Sequence, residues 1–450
     1  MSSALVNQSV LASMDRFGDI VEDKIARDTE ENRKGNFSLR IVKKDGTVPE
    51  NIKVSVKQTS HEFRFGAPPF LLHGLDTDTK NARYEEALTN IANYAIIPLY
   101  WDGLEPVEGA PRFAKDSPFV YRRPPLLDLA EFCRANQMRM KGHCLIYNSF
   151  QPDWIPSDHR ELRMRIDRRL GEIADVLGNE MEDADVINEM YTVYKNCYKG
   201  NGMRNLCITD DPDHEKWGFE LARRHFPHMR LFWNEGIEES FGPVQYKGPR
   251  SLCYMMYEKA LSQNVPLDGI GAQFHLYYDE EKTLSHFCNP LRLFDFFDCY
   301  EKLGIPVQIS EVSVPTWEEN AKAEEIQGEI LRRLYRIFFS RKSCEGISYW
   351  NLVDKTAYTG ENRFLTGLLH NDLTPKHAYE VLSDLIHHEW HTEAVLGDGE
   401  TKRFRGYYGH YLVTIETGSE KIERTVRLYK EDTGYDNRLG DFRTKEIVID

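Results

Sequence analysis

GIGAQFHLYYDEEKTLSHFCNPLRLFDFFDCYEKLGIPVQISE, residues 269–311, decides the fold. It opens on a short apolar run, GIGAQ (269–273), passes through a helical stretch at 291–303 and closes on a second run, PVQIS (306–310). Short runs that are apolar at every position suit strands covered on both faces, and the intervening helix supplies the crossover that parallel strands require. The same rhythm extends in both directions. Upstream lie YAII (94–97), MRMKGH (138–143), ADVIN (184–188) and LFWNE (231–235); downstream lies GISYW (346–350). Helical stretches at 124–136, 159–177, 213–225, 250–263, 319–340 and 377–388 separate or follow them. HEFRFG (61–66) supplies a first strand and makes eight. Eight strands alternating with helices predict a closed (β/α)₈ barrel of the α/β class. An open doubly wound sheet is disfavoured, because none of these strands leads into a G-x-G-x-x-G loop.

The flanks read differently. Residues 7–34 are amphipathic and charged, predicting one helix that ends at Gly35. FSLRIV (37–42), a KKDG turn and IKVSVKQ (52–58) then alternate as short antiparallel strands. Beyond residue 390, FRGYYGHYLVTIETG and KIERTVRLYK alternate again. The expected organisation is 1–66 as helix and small β segment, 67–390 as barrel, and 391–450 as a β module. Each flank is short for independent stability, so the two sets of strands are expected to share one sandwich.

A formal net charge of −15 sets the surface against phosphate backbones and anionic lipid headgroups, so neither nucleic acid nor membrane is expected as a partner. The eight cysteines form no C-x-x-C pair, which predicts buried reduced thiols and not a zinc site. The N-terminus has no basic start, apolar core or cleavage site. As given, the chain is expected to be cytoplasmic and not secreted.

In such barrels, chemistry gathers at the C-terminal strand ends. The polar residues there are His143, Asn188, Glu189, Asn234, Glu235, Gln273, His275, Glu311 and Trp350. Glu189 and Glu311 end the fourth and seventh strands, which puts two carboxyl groups across one mouth. That is the requirement for cleaving a glycosidic bond, where one group protonates the leaving oxygen and the other attacks the anomeric carbon or activates water. Gln273 and His275 are two apart and face the same side of their strand. Each residue also has a plainer reading. Asn-Glu dipeptides are common in turns, and one recurs at Asn234–Glu235; a strand-end glutamate can be an ion-pair partner, and isolated histidines are often structural.

Read in order, these segments resemble glycoside hydrolase family 10, the endo-β-1,4-xylanases. WDGLEPVEG (101–109) is similar to the family's W-x-x-[IL]-E-P-x-x-G, and KGHCLIYNSFQPDW (141–154) to its G-H-x-L-x-W-H-x-Q-x-P-x-W. DVINE (185–189), GIGAQFHL (269–276), PVQISEV (306–312), ISYWNLVDK (347–355) and TPKHAY (374–379) follow. The resemblance covers about residues 60–390. It implies a retaining hydrolase without cofactor or metal, acting on β-1,4-xylan or a related β-linked oligosaccharide. Glu189 would be the acid/base and Glu311 the nucleophile, and His143, Asn188, Gln273, His275, Trp350, Trp101 and Tyr358 would line the sugar site. The chain also departs from the family. Ile97 and Tyr100 stand where an Asn and a Lys usually grip the sugar beyond the reacting one. Tyr147, Asn148 and Phe150 replace Trp, His and Gln; Ser313 replaces an Asp that supports the histidine; and Tyr358 replaces a second Trp. A sugar-binding protein that has lost catalysis is therefore the alternative, and a metal-dependent barrel hydrolase is a third, disfavoured by the lack of a His-x-His strand.

Overall fold

The computed structural model describes residues 3–156, 158–191, 211, 213–236, 248–418, 420–436 and 441–449. Two helices, Ser3–Asp15 and Gly18–Arg33, precede β1 (Lys34–Lys43) and β2 (Lys53–His61). The barrel follows: β3 (Arg64–Ala67), β4 (Tyr94–Pro98), β5 (Arg139–Tyr147), β6 (Asp183–Asn188), β7 (Arg230–Glu235), β8 (Gly269–His275), β9 (Val307–Ser313) and β10 (Cys344–Tyr349). These eight strands pair in parallel in chain order, and β10 closes on β3. The strands β4 and β9 are buried at every position, as a sheet lined by side chains within and helices without requires.

The helices form where caps and apolar stripes coincide. Asn320 caps Ala321–Ser340 by accepting from the Ala323 amide, and Ile326, Ile330, Leu334 and Ile337 form the stripe that the helix buries. Asp158 caps His159–Leu177 in the same way.

Four strands after the barrel, β11 (Glu393–Val395), β12 (Thr401–Tyr407), β13 (Gly409–Glu416) and β14 (Lys421–Leu428), lead to a ribbon, β15 (Tyr435–Asp436) with β16 (Asp441–Phe442), and to β17 (Thr444–Ile449). β1 lies between β12 and β17, while β2 lies between β11 and β13, with β14 beyond. The two sheets enclose Phe37, Leu39, Ile41, Val54, Val56, Tyr411, Val413, Ile415 and Ile447. Polar contacts cross the seam to the barrel beside apolar ones such as Val21, Ile25 and Tyr407: Asn32 donates to Ser340 O at 2.9 Å, Arg341 pairs with Asp28 at 2.6 Å, and His61 Nε2 meets Ile386 O at 3.2 Å.

Two sequence expectations are corrected here. The single helix over 7–34 is two helices, with Arg16 and Phe17 between them, and Gly35 lies inside β1. HEFRFG is not one strand: His61 ends β2 and the barrel strand starts at Arg64. The chain turns between them to pass from module to barrel, and Asn93 Nδ2 holds the turn by donating to His61 O (3.1 Å) and Phe63 O (3.0 Å). Cys133, Cys144, Cys253, Cys288, Cys299 and Cys344 are free and buried; Cys197 and Cys207 lie outside the described residues.

Candidate active site

Strand register assembles the rim. β5, β6 and β7 align Tyr147 with Asn188 and Asn188 with Asn234, and β8 and β9 align Gln273 with Glu311, near the C-terminal ends of the strands. Register slips between His143 and Ile146 and between Ala272 and Gln273 sit beside these pairs, where bulges re-aim side chains. Glu189 follows β6 with a left-handed backbone, φ 50°, a conformation that costs a non-glycine residue about 1–2 kcal/mol. Its amide donates to Asn234 O at 2.9 Å, fixing that turn.

The turn delivers the Glu189 carboxyl to β8. Gln273 Nε2 donates to Glu189 Oε1 at 2.8 Å and to Glu311 Oε1 at 3.1 Å. The triangle inequality then keeps those two oxygens within about 6 Å, close enough for each charge to disfavour the other. Burial, then the neighbouring Glu311 charge, raise the pKa of Glu189 above the ordinary carboxylate range, against hydrogen bonds from Tyr147 and Gln273. Glu311 moves the other way. Burial pushes it up, but the hydrogen bond from His275, the nearby imidazoles His143 and His275, and the Asn234 amide (2.8 Å) outweigh burial and lower it. One amide thus bridges a carboxyl poised to hold a proton and a carboxylate poised to stay charged.

Behind His275 runs a chain of hydrogen bonds. Arg122 can only donate, so its contact at 3.0 Å identifies Asn351 Oδ1 as the acceptor and leaves the Asn351 amine facing Tyr277 Oη (3.2 Å) and Glu361 Oε2 (2.9 Å). Tyr277 Oη lies 3.0 Å from Ser313 Oγ, and Ser313 Oγ faces His275 Nδ1 at 2.9 Å. Ionised Glu311 Oε2 can only accept, so it holds a proton on His275 Nε2, 3.1 Å away; in neutral His275, Nδ1 then accepts from Ser313 and Ser313 accepts from Tyr277. The hydrogen bond and charge of Glu311 raise the pKa of His275, against its burial.

His143 is set from below: its Nδ1 meets Asp185 Oδ2 at 2.9 Å, Lys141 Nζ holds the other Asp185 oxygen at 2.7 Å, and His143 Nε2 stands 3.9 Å from Glu311. Trp350 packs 5.2 Å from the His143 ring and 6.3 Å from His275. Asn188 reaches the pair through Asn234 (2.7 Å). Tyr358 sits farther out on the rim, 5.6 Å from Phe150 and 41% exposed.

Trp101 packs in the core, its indole donating to Glu105 at 3.0 Å and lying edge-on to Trp154 at 5.5 Å. Glu235, the rival carboxylate, is tied to the Trp233 indole (2.9 Å) and the Tyr191 amide (3.0 Å). Of the departures, Ile97 is core and Asn148 is buried, while Tyr100, Phe150 and Tyr358 form an aromatic group threaded by Arg123, whose guanidinium carbon lies 3.9 Å from the Tyr100 ring centroid.

Sequence reasoning missed Tyr277, Asn351, Arg122 and Arg123. Tyr277 was within reach, because 273, 275 and 277 continue one period-two face. Arg122 and Arg123 lie in a segment without periodicity and had no such signal. Among the described residues, no three His, Cys, Asp or Glu side chains gather as a metal site, and no helix is long and apolar enough to cross a membrane.

The sequence profile described as Glycosyl hydrolase family 10 matches residues 112–385. "Anti-sigma-I factor RsgI6" of Acetivibrio thermocellus is 26% identical over 410 residues, covering 88% of this chain and 47% of that protein. "Endo-1,4-beta-xylanase B" of Neocallimastix patriciarum is 24% identical over 251 residues, covering 55% of this chain and 27% of that protein. The chain thus spans less than half the length of these curated relatives. Among solved structures, an endo-1,4-beta-xylanase from Caldicellulosiruptor owensensis superposes with a TM-score of 0.54 at 20% identity, covering 72% of this chain and 97% of that one. At that identity the likeness establishes the barrel fold.

Proposed function

The chain belongs to glycosyl hydrolase family 10, and from that premise we propose that it is a retaining β-glycosidase acting on β-1,4-xylan or a related β-linked oligosaccharide. The observation that carries this reading is the Gln273 amide shared by Glu189 and Glu311, whose pKa values are displaced in opposite directions. Ionised Glu311 attacks the anomeric carbon while protonated Glu189 donates to the departing glycosidic oxygen, giving a glycosyl ester on Glu311. Glu189, now a carboxylate, takes a proton from water as that water attacks the same carbon and releases Glu311. Two inversions give net retention, and an oxygen separation of at most about 6 Å suits this route better than the wider gap that inversion requires. His275 and Asn234 hold Glu311 charged, and Tyr147 positions Glu189.

The test uses aryl β-xylosides and xylo-oligosaccharides. Glu311→Gln should abolish turnover while leaving the circular dichroism unchanged. Glu189→Ala should slow release of the glycosyl ester by about 10²–10⁴-fold, and azide, which needs no general base, should restore turnover as a β-glycosyl azide. An α-configured first product, or an active Glu311→Gln, would overturn the reading. The altered grip at Tyr100, Phe150 and Tyr358, together with a relative named as an anti-sigma factor, favours one second reading: oligosaccharide binding without turnover. Binding of xylo-oligosaccharides with no product from any substrate of the panel would select it.

A further inference from the structure

Between Glu105 and the helix Leu126–Ala135 the chain forms a strap over one quadrant of the barrel mouth. Arg112 pins its shape by donating to Gly103 O (2.7 Å), Pro118 O (2.7 Å) and Arg123 O (3.0 Å). From the end of β4 the strap passes the loop after β3, where the Arg122 guanidinium carbon lies 4.0 Å from the Phe70 ring centroid. It then fastens to the loop after β10. Tyr121 Oη donates to Thr356 O at 2.8 Å, Arg122 donates to Thr356 O at 2.9 Å and to Asn351, and Arg123 donates to Tyr358 Oη. β10, β3 and β4 are neighbours in the barrel, so the strap bridges adjoining staves and leaves β6 and β9, which lead to Glu189 and Glu311, outside its span.

Its position relative to the reacting sugar follows from the mechanism. The sugar whose anomeric carbon is attacked lies on the nucleophile's side of the pair, against Glu311, His143 and Trp350. Tyr100 packs against His143, with ring centroids 5.4 Å apart, and the Arg123 guanidinium carbon lies 3.9 Å from the Tyr100 centroid. Directly behind Trp350 is Phe70, at 5.3 Å, covered by Arg122. Tyr100, Trp350, Arg122 and Arg123 are all buried. Among the described residues, the far side of that sugar therefore meets packed side chains held by the strap.

We infer that the strap closes the cleft one sugar beyond the scissile bond, so that this protein works on non-reducing chain ends and removes one sugar at a time. A polysaccharide threaded through the site would have to displace Tyr100 and Arg123, whereas a chain end needs room for only one ring. The inference rests on the proposed glycosidase reading for its substrate, and its test separates the two.

Xylohexaose labelled at the reducing end, sampled before a tenth is consumed, should give the labelled pentamer as essentially all of the first product. Labelled tetramer or shorter at that stage would overturn the inference while leaving the glycosidase reading intact. Arg123→Ala, which opens the wall behind Tyr100, should raise two-sugar steps at least several-fold; an unchanged pattern would overturn the assignment to the strap. A binding arm is independent of turnover. Glu311→Gln titrated with xylotetraose should bind it, and methylation of O4 on the non-reducing sugar should weaken binding at least tenfold. Equal affinity for both, or for neither, would overturn the wall whether or not the native protein hydrolyses anything.

Discussion

At the scale of the residue, the site works by giving two identical carboxyl groups opposite environments. Glu189 is raised by burial and by its neighbour, and Glu311 is lowered by His275, His143 and Asn234 despite burial. The proposed mechanism needs Glu311 ionised and Glu189 protonated. The profile of kcat/KM against pH should be bell-shaped, with the acid limb set by Glu311 below the usual glutamate range and the alkaline limb by Glu189 above it. Asn234→Ala removes a donor to Glu311 and should move the acid limb to higher pH, by about one unit for each 1.4 kcal/mol of lost hydrogen bonding. The relay makes a second prediction. Tyr277→Phe removes the donor to Ser313, freeing that hydroxyl to accept from His275 and loosening the choice of ring nitrogen. Imidazole ¹⁵N shifts should report a nearly pure Nε2–H form in the native protein and a mixture in the variant, and Ser313→Asp should raise the pKa of His275 further. An unchanged tautomer in Tyr277→Phe would remove the relay's role. The two glutamates and most of their partners were legible as strand-end polar residues, because barrel strands send alternate side chains to the mouth. The partner of the Trp101 indole was not legible, because Trp101 opens a short helix after β4 and Glu105, four residues on, accepts from it.

At the scale of the element, the end of β2 carries a second ionisable device, unconnected with catalysis. His61 accepts from Gln58 at Nδ1 (3.2 Å) and donates from Nε2 to Ile386 O (3.2 Å), so it is neutral in the seam between module and barrel. Burial lowers its pKa to about 4. A folded pKa below the unfolded one means that the unfolded chain binds more protons between the two values, so stability falls as pH drops from about 6.5 to about 4 and changes no further from this group below that. The loss approaches about 3 kcal/mol. Urea midpoints at pH 7 and pH 4.5 should differ more in the native protein than in His61→Gln, which keeps a donor but cannot charge. Parallel midpoints would show that His61 is not the group responsible. In the sequence this histidine looked like the start of a barrel strand, because HEFRFG alternates without a break. What divides it is Asn93, thirty residues on, which holds the carbonyls of His61 and Phe63 at a turn.

At the scale of the molecule, the two ends of the chain complete each other. β1 has partners on both sides, β12 and β17, that come from beyond the barrel, and β2 likewise pairs with β11 and β13. Ending the chain after residue 398 would strip Phe37, Leu39, Ile41, Val54 and Val56 of Tyr411, Val413, Ile415 and Ile447. Each such side chain loses about 1.5–3 kcal/mol of burial, far more than the remnant of β1, β2 and the three-residue β11 can spare. Protease should then cut within residues 34–60 of the shortened chain and spare that segment in the full one; continued protection would mean that β1 and β2 stand without the tail.

The sequence by itself determined the barrel, its eight strands in order and the two carboxyls at its mouth, because all three are recorded locally, in the period of apolar residues and in which side chain follows the last one. Only the tertiary structure decided which neighbour each carboxyl has, that the strap fastens to the loop after β10, and that Ser313 is backed by Tyr277 and Asn351. These are contacts between segments far apart in the chain, and their energies depend on distances of a few ångströms that no local pattern encodes.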